Sequence, residues 1–346
     1  MDDTRYCGDE SSHVIWKGLH DKLKFGALRK ATEEEVKFCG RWERQCPTTF
    51  EFTYSMVPYG EKLYKMKARE EGETSELTSK EKLEMSSLVG QLNWQSRQGR
   101  YDLAYGVSHV QQLMARGDPE AIVWLNKVIY RAKQPMVQKI AKISENDMVV
   151  VSASDAAYGC QPGGHSQGGM VIGIGDQRML DGEGPFCILE ASSMKIQRVV
   201  RCSMSAEVSM AASSYEHGDF IRASMAEMFC KDFRLRDWKL WASRWRHFLV
   251  IDAKTGFDVL SNESQTSDRK IQIDLAVLKQ ALTEGSSNSF VKWVPGHHMI
   301  ADGMTKWFSN GSLAKGLCEG RWSLQDTTEA KVLRDEAAKR RKLYKK

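Results

Sequence analysis

Apolar and polar positions change period along this chain, and the change divides it. After Pro135 the period is that of strands. Residues 148–154, 169–174 and 186–190 are short apolar, β-branched runs separated by turn formers at 161–164 and 181–184, which predicts a three-stranded antiparallel meander. A helix over 203–231 with a break at Gly218, a strand over 245–252, a helix over 267–282 and a strand over 289–294 follow. In the second helix Ile271, Leu275, Leu278 and Leu282 fall on one stripe, with Ser267 as its cap. The order is β-β-β-α-β-α-β. Helical crossovers are right-handed, so the later strands run parallel to the first and an α/β mixed five-stranded sheet results. If strands one and four are neighbours, their carboxyl ends meet, with Asp155 and Asp252 side by side where ligand sites of open sheets form.

Before Pro135 the period is helical or absent. Val14, Ile15, Leu19, Leu23 and Phe25 predict a helix over 12–24, and strands are expected over 38–44 and 48–56. Residues 65–84 are polar and charged and read as a linker. Three helices follow over 85–133; in the last, Asp118 caps, Pro119 takes the first position and Ile122, Leu125 and Ile129 share a face. Trp94, Arg97, Arg100 and Arg116 are either phosphate contacts or a solvated basic face. The expected divisions are 1–64, 65–84, 85–145, 146–310 and a tail over 311–346.

Composition narrows the class. With 346 residues, 41% hydrophobic and 27% charged, the chain has the make-up of two ordinary globular domains. The net charge of +5 is concentrated in the tail, where Lys339, Arg340, Arg341, Lys342, Lys345 and Lys346 crowd together. That segment reads as a nuclear import signal, an electrostatic tether to nucleic acid, or a solvated end of a helix beginning near Thr328. Eight cysteines contain no CxxC pair, which fits reduced thiols better than disulfides or zinc. No run of eighteen apolar residues and no signal-peptide pattern occur, so a cytoplasmic or nuclear protein, or one inside a virus-like particle, is expected rather than a secreted or membrane one.

Four acids stand apart from the charge runs. Asp155 (SASDAAYG) ends the first strand of the meander, Glu207 (MSAEVSMA) opens the long helix, Asp252 (LVIDAKTG) ends the fourth strand and Asp302 (MIADGMTK) follows the fifth. An acid among small and apolar residues is capped, paired or on a metal, because burying it alone is costly. For Asp155 by itself, a turn or cap residue is the plainer reading. Four carboxylates on one sheet edge repel unless cations neutralise them, and oxygen ligands without a His or Cys cluster point to Mg²⁺ or Mn²⁺.

The region from about 85 to 320 resembles the end of the Pol polyprotein of copia-type LTR retrotransposons. The matches are SLVGQLNWQSRQGRYDLAYGVSHVQQLM to the segment joining reverse transcriptase to ribonuclease H, SDAAYG to SDAxxG, SSMKIQRVVRCSMSAEVSMAAS to SSKKQxxVxxSTxxAE, and WVPGHHMIADGMTKW to VPxxxxxADxxTK. In this order and spacing the resemblance implies a ribonuclease H-like fold and cleavage of the RNA strand of RNA/DNA hybrids. It makes Asp155, Glu207, Asp252 and Asp302 the catalytic ligands of two Mg²⁺ or Mn²⁺ ions. In many relatives the glutamate lies one residue nearer the helix core; others carry S-x-x-A-E, which Glu207 fits. WVPGH is also similar to the WVxGH of cellular ribonucleases H, which makes His297 either an aid to proton transfer and product release or, given its short loop to Asp302, a surface histidine.

MDDTRYCGDESSHVIWKGLHDKLKFG is similar to the stretch after the YxDD hairpin of reverse transcriptase, with Asp2 and Asp3 matching the aspartate pair and Met1 in the variable position. On that resemblance residues 1–64 are a palm remnant and 85–145 thumb and connection helices. The tyrosine and the first palm aspartate have no counterpart here, so no polymerase activity is expected, and the remnant is expected to expose apolar surface. The alternative to a ribonuclease is a decayed or domesticated fragment that binds nucleic acid without cutting it.

Overall fold

The computed structural model describes residues 5–70, 75–261, 271–283, 287–307 and 311–325. Asp2, Asp3, Ser267 and the basic tail lie outside the described residues. Helix α1 (Glu10–Leu23) is capped by Asp9, whose carboxylate accepts the Ser12 N–H at 3.0 Å. None of its residues is buried, and Val14 and Ile15 are 65% and 64% exposed.

Strands β1 (Val36–Phe38), β2 (Arg41–Gln45), β3 (Phe52–Ser55) and, from later in the chain, β4 (Val137–Ile140) form an antiparallel sheet in that order. The single strand expected over 38–44 is thus a hairpin. Cys39 and Gly40 have φ of 46° and 79°, and two successive residues at positive φ give the tight turn that reverses twisted strands.

A short helix α2 (Val57–Glu61) leads to the helical layer α3 (Ser79–Arg97), α4 (Ala104–Ala115) and α5 (Glu120–Ala132). Residues 79–84, read as linker, are the start of α3. A capping box forces this: Thr78 and Glu81 exchange side-chain and backbone hydrogen bonds. Leu88, Leu92, Leu113, Ile122, Leu125 and Ile129 fill the core of the layer. Arg100 is not a phosphate contact. It is 3% exposed, pairs with Asp102 at 2.9 and 3.0 Å, and donates to the carbonyls of Arg131, Ala132 and Gln134 at the end of α5. Arg97 and Arg116 are exposed, and Trp94 packs on Tyr59 with ring centroids 4.9 Å apart.

The second sheet carries the β-β-β-α-β-α-β order. Its strands are β5 (Met148–Gln161), β6 (His165–Asp176), β7 (Glu183–Lys195), β8 (Arg246–Ile251), β9 (Ser289–Trp293) and β10 (Arg321–Ser323), arranged β10-β7-β6-β5-β8-β9. β5, β6 and β7 are antiparallel, while β5, β8 and β9 run parallel. The fold is ribonuclease H-like, with β10 as a sixth strand beyond the five expected. Trp322 of β10 stacks toward Phe186 with centroids 5.3 Å apart, so the part of the tail up to residue 325 belongs to this sheet.

Side chains alternate between two cores, as the strand period requires. Val149, Val151 and Ala153 face Tyr101 and Ala104 of the helical layer together with Ile300, Met304 and Leu313. The opposite face is covered by α6 (Ser203–Phe229), α7 (Trp238–Ala242), α8 (Lys254–Ser261) and α9 (Ile271–Thr283), and α10 (Gly311–Glu319) closes the first face. Gly218 does not break α6. It is buried where the helix crosses the sheet, and a Cβ there would run into Ser152 of β5 and His247 of β8. Among the described residues no helix is long and apolar enough to cross a membrane.

Candidate active site

The parallel pairing of β5 with β8 places the first acids side by side. The last rung is Ala153 with Val250. Asp155 lies just beyond it on β5, and Asp252 directly follows the last residue of β8. Asp155 therefore does not end its strand. β5 continues to Gln161, paired only with β6, because Ala156 and Ala157 still meet Gly168 and Gln167. Glu207, just past the first turn of α6, comes from the other layer. One oxygen from each of Asp155, Glu207 and Asp252 lies within 4.8 Å of the others.

The fourth acid arrives over a glycine. Opposite Asp155 on β6 is Gly169, where a Cβ would collide with Met304 and approach Thr305 Cγ2 to 3.0 Å. Its absence lets the 3₁₀ turn Ile300–Met304 lie against the sheet and bring Asp302 to the site. Asp302 stays outside the three-acid cluster. Its Oδ1 accepts from Lys306 Nζ at 2.8 Å, and the same ammonium lies 3.7 Å from Asp155 Oδ2. Thr305 donates its hydroxyl to Asp155 Oδ2. His297 sits in the exposed Gly296–His298 turn and is not part of the cluster, although its neighbour Gly296 borders Asp252 Oδ2.

Thr305 and Lys306 also belong to the site, beyond the four acids and His297 expected from the sequence. Their signal was present in ADGMTK, because positions three and four after Asp302 return to the same side of a helical turn.

Burial and repulsion from neighbouring carboxylates make Glu207, Asp252 and Asp302 reluctant to ionise. Desolvation, then Asp155 and Asp252, push Glu207 up to about 9, against a hydrogen bond from the Ala156 backbone. Desolvation, then Asp155 and Asp302, raise Asp252 to about 7. Asp302 is also raised, by burial first, with Lys306 opposing. For Lys306 burial works against the charge, but Asp155, Asp302 and Asp252 outweigh it and the ammonium is stabilised.

Three carboxylates crowded in this way suit a divalent cation. Glu207 Oε2 is buried without a hydrogen-bond partner, and every donor is a hard oxygen, the chemistry of Mg²⁺ or Mn²⁺ rather than zinc. The six-stranded α/β sheet thus carries an acidic cluster at the carboxyl ends of its neighbouring parallel strands, and packs against a helical layer.

No family model and no curated protein matches the chain. Among solved structures it is similar to the N-terminal RNase H domain of a Mycobacterium tuberculosis protein, at 17% identity and a TM-score of 0.27, over 42% of this chain and 86% of that one. It is also similar to LC11-RNase H1 from a compost metagenome, at 15% identity and a TM-score of 0.29, over 45% and 91%. A third such structure is RNase H1 of the archaeon Halobacterium salinarum, at 17% identity and a TM-score of 0.24, over 42% and 85%.

Proposed function

We propose that the protein is a ribonuclease H-type hydrolase that cuts the RNA strand of RNA/DNA hybrids, using Mg²⁺ or Mn²⁺ held by Asp155, Glu207 and Asp252. The observation that carries this reading is the three-acid cluster at the ends of adjacent parallel strands, with Glu207 brought in by the helix that follows the meander. A divalent cation bound there supplies an acidified water and stabilises charge on the phosphate oxygens. The chain's own part is positioning. Asp155 and Asp252 are held by neighbouring backbone ladders, and the Thr305 hydroxyl fixes the Asp155 carboxylate. Without metal Glu207 keeps its proton, so loading the site releases one.

In this reading the chain derives from the end of a copia-type Pol polyprotein, with 1–64 a reverse transcriptase palm remnant and 85–145 its thumb and connection helices. The motif order supports it, as does the exposed apolar face of α1. The test compares end-labelled RNA/DNA hybrid, RNA duplex and DNA duplex in Mg²⁺. Cleavage confined to the RNA of the hybrid is expected; equal cleavage of all three, or none by metal-loaded protein, refutes the proposal.

A further inference from the structure

The resemblance to two-metal nucleases calls for a second ion, and that ion needs Asp302. In this structure Asp302 is engaged otherwise. Its carboxylate is bound by Lys306 at 2.8 Å, and the ammonium reaches toward Asp155, the ligand two ions would have to share.

The lysine does not reach this place by drift of a free surface loop. The residue before it, Thr305, is buried and bonded to Asp155. The residue after it, Trp307, is clamped by the helical layer: both terminal nitrogens of Arg131 donate to its carbonyl at 3.3 and 3.2 Å, and the guanidinium stands 3.5 Å over its ring. Trp124 meets the same ring edge to face at 5.6 Å, and Gly106 of α4 leaves the space the indole fills. Lys306 thus springs from a backbone fixed on both sides. Its side chain needs only one helical turn to return to Asp302, the spacing at which oppositely charged side chains meet.

Charge balance points the same way. One divalent ion and one ammonium leave four ionised carboxylates with a single net negative charge, suited to a site that must accept the water and phosphate of a reaction. A second divalent ion at Asp302 would stand beside the Lys306 ammonium, which lies 2.8 Å from Asp302 and 3.7 Å from Asp155, and like charges that close repel.

From this we infer that Lys306 is a built-in cation: the site takes one divalent ion, on Asp155, Glu207 and Asp252, while the Lys306 ammonium holds the place between Asp302 and Asp155 that a second ion would need. The inference rests on the proposed metal site and deepens it. The helical layer then has a part in the chemistry of the sheet domain, since Arg131 and Trp124 anchor the segment that presents the lysine.

The experiment is calorimetric titration of the full chain with Mn²⁺, with Asp155→Asn as the site control. One ion per wild-type chain, lost in Asp155→Asn, is expected. Lys306→Met, which keeps the unbranched stem of the side chain and removes the ammonium, should take up two ions. Lys306→Arg, which keeps the charge, should take up one, and remains informative if the methionine variant does not fold. Two ions in the wild type, or one in a folded Lys306→Met, overturns the role of Lys306 and leaves the metal site standing. No ion in the wild type overturns the metal reading itself.

Discussion

Adding one methyl group at Gly218 tests how the three elements that carry the acids are held together. Gly218 of α6 faces Ser152 of β5 and His247 of β8, whose Oγ and Nε2 are hydrogen-bonded at 2.8 Å. The His247 Nδ1 lies 3.4 Å from Asp219, which Arg222 grips while also donating to the Trp245 and Ser287 carbonyls at 3.3 and 2.7 Å. Burial holds the imidazole below its ordinary range. Each element in this network carries one acid: β5 leads to Asp155, β8 to Asp252 and α6 bears Glu207.

In Gly218→Ala the new Cβ would stand 2.5 Å from His247 Cε1 and closer to the two polar atoms. The comfortable separation is about 3.5 Å, so the helix must retreat by roughly 1 Å or the Ser152–His247 bond must open. Overpacking costs about 1 to 3 kcal/mol and a buried bond lost without replacement about 1 to 3, so a loss of about 1 to 3 kcal/mol is expected by either route. Gly90→Ala is the control. Gly90 is exposed within α3 with nothing within 4 Å of a Cβ, and the same substitution there should stabilise by about 0.5 to 1 kcal/mol. Urea unfolding of both variants decides it. A Gly218→Ala protein within about 0.5 kcal/mol of wild type, well inside ordinary surface effects, refutes the close packing of α6 on the sheet.

Other consequences follow from named contacts. Arg100→Met leaves Asp102 buried without its partner and uncaps the end of α5, which should cost about 3 to 5 kcal/mol in denaturant unfolding; a loss below about 1 would mean the pair is not buried. The pH dependence comes from Glu207. Its folded value near 9 exceeds the unfolded one of 4.5, so the folded protein holds a proton that the unfolded chain has released. The associated stability is complete below pH 4.5 and is lost toward pH 9, at about 1.4 kcal/mol per pH unit in metal-free protein. Mn²⁺ affinity should rise over the same window as the ion displaces the proton. Titrations in buffers of different ionisation enthalpy measure that release, and a pH-independent affinity contradicts it.

The sequence made the β-β-β-α-β-α-β element order legible, and with it the three acids that come together, Asp155, Glu207 and Asp252, because each signal was local: an apolar run, a turn, an acid among small residues. What escaped depended on contacts between distant segments. Gly218 looked like a helix breaker, and only the crossing of α6 over Ser152 and His247 shows that it is a packing site. Asp155 looked like the end of its strand, since the small and polar residues that follow pair with β6 alone. Arg100 looked like a surface cation until Asp102 and the carbonyls of α5 closed around it. Lys306 was visible within the closing motif, but its role depends on the positions of Thr305 and Trp307 in three dimensions.

The most direct measurement is the rate of hybrid cleavage in Mg²⁺ by the wild type and by Asp155→Asn, both shown to be folded. The proposed function predicts RNA fragments with 5′-phosphate and 3′-hydroxyl ends from the wild type, and a loss of at least about 100-fold in the variant, because the carboxylate whose charge acts on Glu207, Asp252, Asp302 and Lys306 is gone. Undiminished cleavage by Asp155→Asn would contradict it.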